Sequence, residues 1–187
     1  MDPEVLKEFK DPAKRLAKLQ ELFNLLDKDK KGYIDAAAIK AGAKDKLAAA
    51  GIPILPEDPE REAEFLKAAD PTGSGKITFD GLKAAGKAFL EKVKATVNDP
   101  AKFEAEVKRV FGKLDLKKQG YLDVAALKDA DDRFLGLGLP GPKITKEHKE
   151  ALVKLADPNG TGKVTQEGFL TMAKAVLAKL KEQGLFQ

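Results

Sequence analysis

A twelve-residue pattern that recurs four times constrains this chain more than any other feature. The copies begin at Asp27, Asp70, Asp115 and Asp157. Each has a glycine at its sixth place (Gly32, Gly75, Gly120, Gly162) and Ile34, Ile77, Leu122 or Val164 at its eighth. The copies also fall into two matching pairs. Phe23, Asp27, Lys30, Gly32, Tyr33, Asp35 and Lys40 match Phe111, Asp115, Lys118, Gly120, Tyr121, Asp123 and Lys128 at one fixed offset. Asp70, Pro71, Gly73, Gly75, Lys76 and Thr78 match Asp157, Pro158, Gly160, Gly162, Lys163 and Thr165 at an offset one residue shorter. Such a repeat implies duplicated supersecondary units.

The segments around the pattern read as helices. Leu16, Leu19, Leu22, Phe23 and Leu26 recur at helical spacing and make one apolar stripe before the first copy. Asp11-Pro12, Asp58-Pro59 and Asp99-Pro100 each offer a capping carboxylate followed by a proline, which suits a first helical position. Further helices are expected over about 36–49, 58–69, 79–97, 100–114, 124–135, 145–156 and 166–182, with a short lead-in at about 3–10. Thr145 is the expected cap of the helix that ends at Ala156. Proline- and glycine-rich connectors lie at 52–56 and 136–142. The fold class is therefore all-α: four helix–loop–helix units in two paired lobes, with short β contacts between the eighth-place residues of paired loops. Asn98-Asp99-Pro100 divides the chain into lobes at 1–98 and 99–187.

Asp27-Lys28-Asp29-Lys30, Gly32-Tyr33-Ile34, Phe65-Leu66-Lys67-Ala68-Ala69-Asp70 and Gly75-Lys76-Ile77 carry a resemblance that covers nearly the whole chain. They are similar to the EF-hand superfamily, and in particular to its parvalbumin- and calmodulin-like helix–loop–helix pairs. That resemblance implies a calcium loop. Such a loop takes oxygen ligands from places one, three, five and nine, a backbone carbonyl from place seven and a bidentate carboxylate from place twelve. The sequence departs from this at place twelve of every copy, where Ala38, Gly81, Ala126 and Gly168 stand.

The first loop keeps most of the set, with Asp27, Asp29, the Tyr33 carbonyl and Asp35 as candidate metal ligands, but it puts Lys31 at place five. The second offers Asp70, Thr72, Ser74, the Lys76 carbonyl and Thr78; the fourth offers Asp157, Asn159, Thr161, the Lys163 carbonyl and Thr165. The third has Asp115 and Asp123, with Lys117 and Gln119 between them. Asp80 and Glu167 stand one place too early to be the twelfth ligand. The expectation is a loop that keeps its shape and loses its chemistry, with no cofactor and with calcium disfavoured.

Composition removes most other functions. Zero cysteines exclude disulfides and thiolate sites, and a single histidine, His148, leaves most imidazole-based catalysis without its parts. No nucleophile–base pair can be assembled, so the chain is expected not to be an enzyme. The net charge of +4 is spread among acidic residues on the same helices, as in Glu57-Asp58-Pro59-Glu60-Arg61-Glu62, which points to solvated faces rather than nucleic-acid binding. There is no membrane-length apolar run and no secretory signal, so a cytoplasmic monomer is expected, and Asn159-Gly160-Thr161 is a coincidental acceptor pattern.

The dominance of Ala, Leu, Lys and Glu, with repeated acidic cap–proline starts, favours a de novo designed chain. The leading expectation is a metal-independent EF-hand-like scaffold that requires no partner. Two alternatives accompany it: weak calcium or magnesium binding through the first loop, and a module that binds an amphipathic helix or a small hydrophobic ligand.

Overall fold

The computed structural model describes residues 11–38, 59–129 and 146–184. They fall into two compact units divided between Val93 and Lys94. The first runs α1 (Pro12–Leu26), β1 (Tyr33–Asp35), a single helical turn α2 (Ala36–Ala38), α3 (Pro59–Ala69), β2 (Lys76–Thr78) and α4 (Phe79–Val97), whose last turn crosses the division. The second runs α5 (Pro100–Leu114), β3 (Tyr121–Asp123), α6 (Val124–Asp129), α7 (Lys146–Ala156), β4 (Lys163–Thr165) and α8 (Gln166–Glu182). The described residues thus show the expected all-α architecture with two short strand pairs. The lead-in at 3–10, the Asp58 and Thr145 caps, both connectors and most of the helix expected at 36–49 lie outside the described residues.

Each unit starts and stops for local reasons. Asp11 accepts hydrogen bonds from the amides of Ala13 and Lys14, and Asp99 accepts them from Ala101 and Lys102, so each satisfies two otherwise orphaned N–H groups beside a proline. The helices that enter the loops end at the first-place aspartates. The amides of Asp27, Asp70, Asp115 and Asp157 still donate to Phe23, Leu66, Phe111 and Val153 at 2.8 to 2.9 Å before the chain turns away. Two antiparallel pairings then join the loops: Tyr33, Ile34 and Asp35 face Thr78, Ile77 and Lys76, and Tyr121, Leu122 and Asp123 face Thr165, Val164 and Lys163. A further bond from the Ala36 amide to the Gly75 carbonyl, and from Val124 to Gly162, extends each pairing by one residue.

The cores form directly beneath these pairings. In the first unit Leu22, Phe23, Ile34, Phe65, Ala69, Ile77, Leu82 and Ala85 pack together, with Leu19, Leu26 and Phe79 against them. The rings of Phe23 and Phe79 meet edge-on, their centres 5.6 Å apart. The α1 stripe is therefore buried at its loop end, while Leu16 at its other end stays exposed. The second unit buries Phe103, Val107, Phe111, Val164, Phe169, Met172 and Leu180 among others. Its aromatic pair is Phe111 with Phe169, at 5.7 Å. Each fully buried side chain of this size contributes on the order of 1.5–3 kcal/mol. Among the described residues no helix is long and apolar enough to cross a membrane.

Candidate metal centre

The four loops share one device. In the first, Asp27 Oδ1 accepts from the Lys31 amide and Oδ2 from the Gly32 amide, both at 2.8 Å. In the third, Asp115 accepts from Gln119 at 3.0 Å and Gly120 at 2.7 Å. In the fourth, Asp157 accepts from Thr161 at 2.9 Å and Gly162 at 2.7 Å, and in the second the Gly75 amide reaches Asp70 Oδ2 at 2.6 Å. The turn depends on the sixth-place glycines, whose φ values of +77° to +79° favour a residue without Cβ. The aspartates of the first, third and fourth loops are nearly buried, at 8–9% exposure, and their amide bonds offset the cost of holding a carboxylate there.

The loops differ in what else surrounds that carboxylate. In the second loop the hydroxyls of Thr72 and Ser74 lie 2.9 and 3.0 Å from Asp70 Oδ1. In the fourth the Thr161 hydroxyl lies 2.9 Å from Asp157 Oδ1. Partial burial alone would push the Asp70 carboxyl up, but the bonds from Thr72, Ser74 and Gly75 outweigh it and hold the group below its usual range. Asp157 is likewise held low, chiefly by the Thr161 amide, against a smaller opposing effect of burial. The hydroxyl groups that a calcium loop would turn toward the ion are directed at the carboxylate instead. In the third loop the Gln119 amide nitrogen lies 3.4 Å from the Tyr121 carbonyl, the seventh-place oxygen.

The first loop is different. It has no hydroxyl in these places, and its third- and ninth-place carboxylates, Asp29 and Asp35, are exposed. The Lys31 ammonium lies 3.0 Å from Asp29 Oδ2. The Asp29 hydrogen bond and charge, and then the charge of Asp35, hold the lysine proton more firmly than usual. Across the strand pair, Lys76 is the partner of Asp35, and its ammonium lies 4.8 Å from the centre of the Tyr33 ring. Lys163 and Tyr121 repeat this contact at 4.4 Å. Both tyrosines are half-buried, each with a lysine ammonium over its ring.

Tested as calcium loops, the second and fourth do not fit, since each offers one carboxylate already engaged by its own hydroxyls and amides. The third fits no better, with an amide side chain on its carbonyl ligand. The first keeps carboxylates at places one, three and nine, although among the described residues no three acidic or histidine side chains are gathered closely enough to hold an ion. Asp27, Asp29 and Asp35 thus keep their places along the loop while their carboxylates stand apart.

A sequence profile of the EF-hand domain pair matches residues 16–85 and again residues 104–174. The chain belongs to the EF-hand family. Its relatives include troponin C isoform 1 of Homarus americanus, 26% identical over 82% of this chain and 91% of that protein. Caltractin of Naegleria gruberi is 26% identical over 83% of this chain and 78% of its own length. Parvalbumin beta of Scomber scombrus is 31% identical over 60% of this chain and 96% of its own.

These matches correct one expectation for this EF-hand protein and weaken another. The reading without a cofactor, with calcium disfavoured, does not stand, because both halves match the paired domain and the relatives are troponin C and caltractin. That reading set the missing twelfth carboxylate and the Lys31 charge above the ligands the first loop keeps. The first loop, unlike the others, still carries carboxylates at places one, three and nine. The designed origin expected from composition finds no support in these matches.

Proposed function

We propose that the chain is a non-enzymatic EF-hand protein with lobes at 1–98 and 99–187 that takes a divalent cation weakly at its first loop. Asp27, Asp29 and Asp35 with the Tyr33 carbonyl would hold the ion, calcium before magnesium because a flexible loop of oxygens suits the larger ion. The ion would supply charge neutralisation across three carboxylates. The observation that carries this reading is that the first loop, unlike the other three, keeps carboxylates at places one, three and nine with two of them exposed; the Lys31 ammonium against Asp29 is the competitor an ion would displace.

Troponin C is by name a component of troponin, which supports a protein partner for this chain over the expectation that none is required. An open, Met-rich groove is not part of the reading, because the apolar residues beneath both strand pairs are buried and Met172 lies wholly inside.

Calorimetric titration of calcium into the full chain tests the reading. We expect saturable binding that Asp29→Ala and Asp35→Ala each weaken at least tenfold. These residues are exposed, so the variants keep the fold. Unchanged affinity in both variants would overturn the assignment.

A further inference from the structure

The twelfth places of the second and fourth loops do more than lack a carboxylate. Gly81 and Gly168 are the third residues of α4 and α8. A Cβ placed on Gly81 would stand 2.1 Å from the carbonyl oxygen of Ala69 and 3.1 Å from its carbon. On Gly168 it would stand 2.1 Å from the oxygen of Ala156 and 3.0 Å from its carbon. Ala69 and Ala156 are the last residues of α3 and α7 and are themselves buried. The obstacle is backbone, so no rotamer change relieves it, and the same contact appears in both units.

A second set of bonds fixes the glycines in place. The Gly81 amide donates to Thr78 Oγ1 at 3.1 Å, and the Gly168 amide to Thr165 Oγ1 at 3.2 Å. The ninth-place threonine therefore caps the exiting helix, and the glycine is held where the entering helix ends. In these loops the two helices meet backbone to backbone.

We propose that Gly81 and Gly168 decide which loops of this chain can take a cation. By letting α3 rest on α4, and α7 on α8, they fasten the helices around the second and fourth loops and close the twelfth place to any ligand-bearing side chain. Cation-driven rearrangement is left to the first loop. This assignment does not depend on whether the first loop binds an ion.

The alternative is that these glycines merely lack a ligand. In that case Gly81→Glu would add a carboxylate to Asp70, Thr72, Ser74, the Lys76 carbonyl and Thr78, and a calcium site would appear. The test uses Gly81→Ala, Gly168→Ala and Gly81→Glu in the full chain. Gly86→Ala and Gly112→Ala are controls, since a Cβ at either helical glycine meets nothing within 4 Å.

We expect Gly81→Ala and Gly168→Ala each to lower the urea midpoint by on the order of 1 M, while the controls match or exceed the parent. Gly81→Glu should also lose stability and should show no calcium stoichiometry beyond the parent's. If Gly81→Ala does not fold, Gly168→Ala decides; failure of both beside folded controls upholds the proposal. A parental midpoint for Gly81→Ala or Gly168→Ala, or one added calcium site in Gly81→Glu, overturns it. A flat calcium titration of the parent would count against the first-loop reading alone.

Discussion

The odd and even loops share a backbone and solve its electrostatic problem in opposite ways. In the second and fourth loops, hydroxyls of Thr72, Ser74 and Thr161 surround the first-place carboxylate, a glycine occupies the fourth place with positive φ, and another glycine joins the flanking helices. In the first and third loops the fourth place is Lys30 or Lys118, held at φ of 53° and 50°. There, among the described residues, the first-place carboxylate accepts from backbone amides alone, and in the first loop a lysine ammonium lies against the next carboxylate. The even loops are satisfied from within. The odd loops carry backbone strain, and in the first of them a lysine of the chain itself meets the Asp29 charge, where an external cation would have to displace it. One lobe therefore contains one turn braced by side-chain hydroxyls and a second held by backbone amides alone.

The largest effect should come from removing a first-place carboxylate. Asp115→Ala removes a nearly buried carboxylate that accepts from two amides of an otherwise exposed turn and should cost about 2–3 kcal/mol in urea unfolding. Asp157→Ala also takes the nearer acceptor from the Thr161 hydroxyl, leaving it the Lys163 carbonyl at 3.2 Å, and should lower the midpoint further. Equal midpoints for the two variants would break the comparison.

Next in size is Lys31→Ser, which rests on the first-loop reading. Losing the ammonium beside Asp29 should raise calcium affinity about tenfold by calorimetry. No change would mean that the lysine is a bystander.

A smaller gain should follow from Lys30→Gly or Lys118→Gly. Relief of the left-handed conformation exceeds the added freedom of the unfolded glycine by about 0.5 kcal/mol. Destabilisation by either variant would show that the odd loops are not strained.

The smallest effect is a pH dependence in the even loops. Asp70 and Asp157 are held below the ordinary value of 3.8, so their contribution is complete above that pH. It is lost as the pH falls through their lower folded values. Carboxyl resonances of these two residues followed by NMR should titrate below the ordinary range, and titration at or above it would contradict the internal hydroxyl bonding.

Much of the fold was legible because its signals are local. Asp99-Pro100 marks the start of α5, the spacing of the loops places β2 directly before α4, and Ile34, Ile77, Leu122 and Val164 pair as the alternation of a short strand requires. The candidate ligands were legible as a list of side chains. The opposition of the Lys31 charge was visible too, although not its position against Asp29.

What the sequence could not show is contact with backbone. Gly81 and Gly168 read as missing ligands, because a string of letters does not reveal that the Ala69 and Ala156 carbonyls fill the space. Likewise the positive φ of Lys30 is invisible beside an ordinary lysine elsewhere. The aromatic pairs were hidden for another reason. Phe23 and Phe111 match in the repeat, but their partners Phe79 and Phe169 come from unmatched positions.

The lysine-covered tyrosines have a practical consequence. The chain contains two tyrosines and no tryptophan, with Tyr33 in the first unit and Tyr121 in the second. Each ring lies at a strand junction beneath an ammonium, so each unit carries its own optical probe at the place where its two loops meet. With Tyr33→Phe, tyrosine emission reports the second unit alone; with Tyr121→Phe, it reports the first. A cation that acts only on the first loop should then be visible in one of these variants and silent in the other.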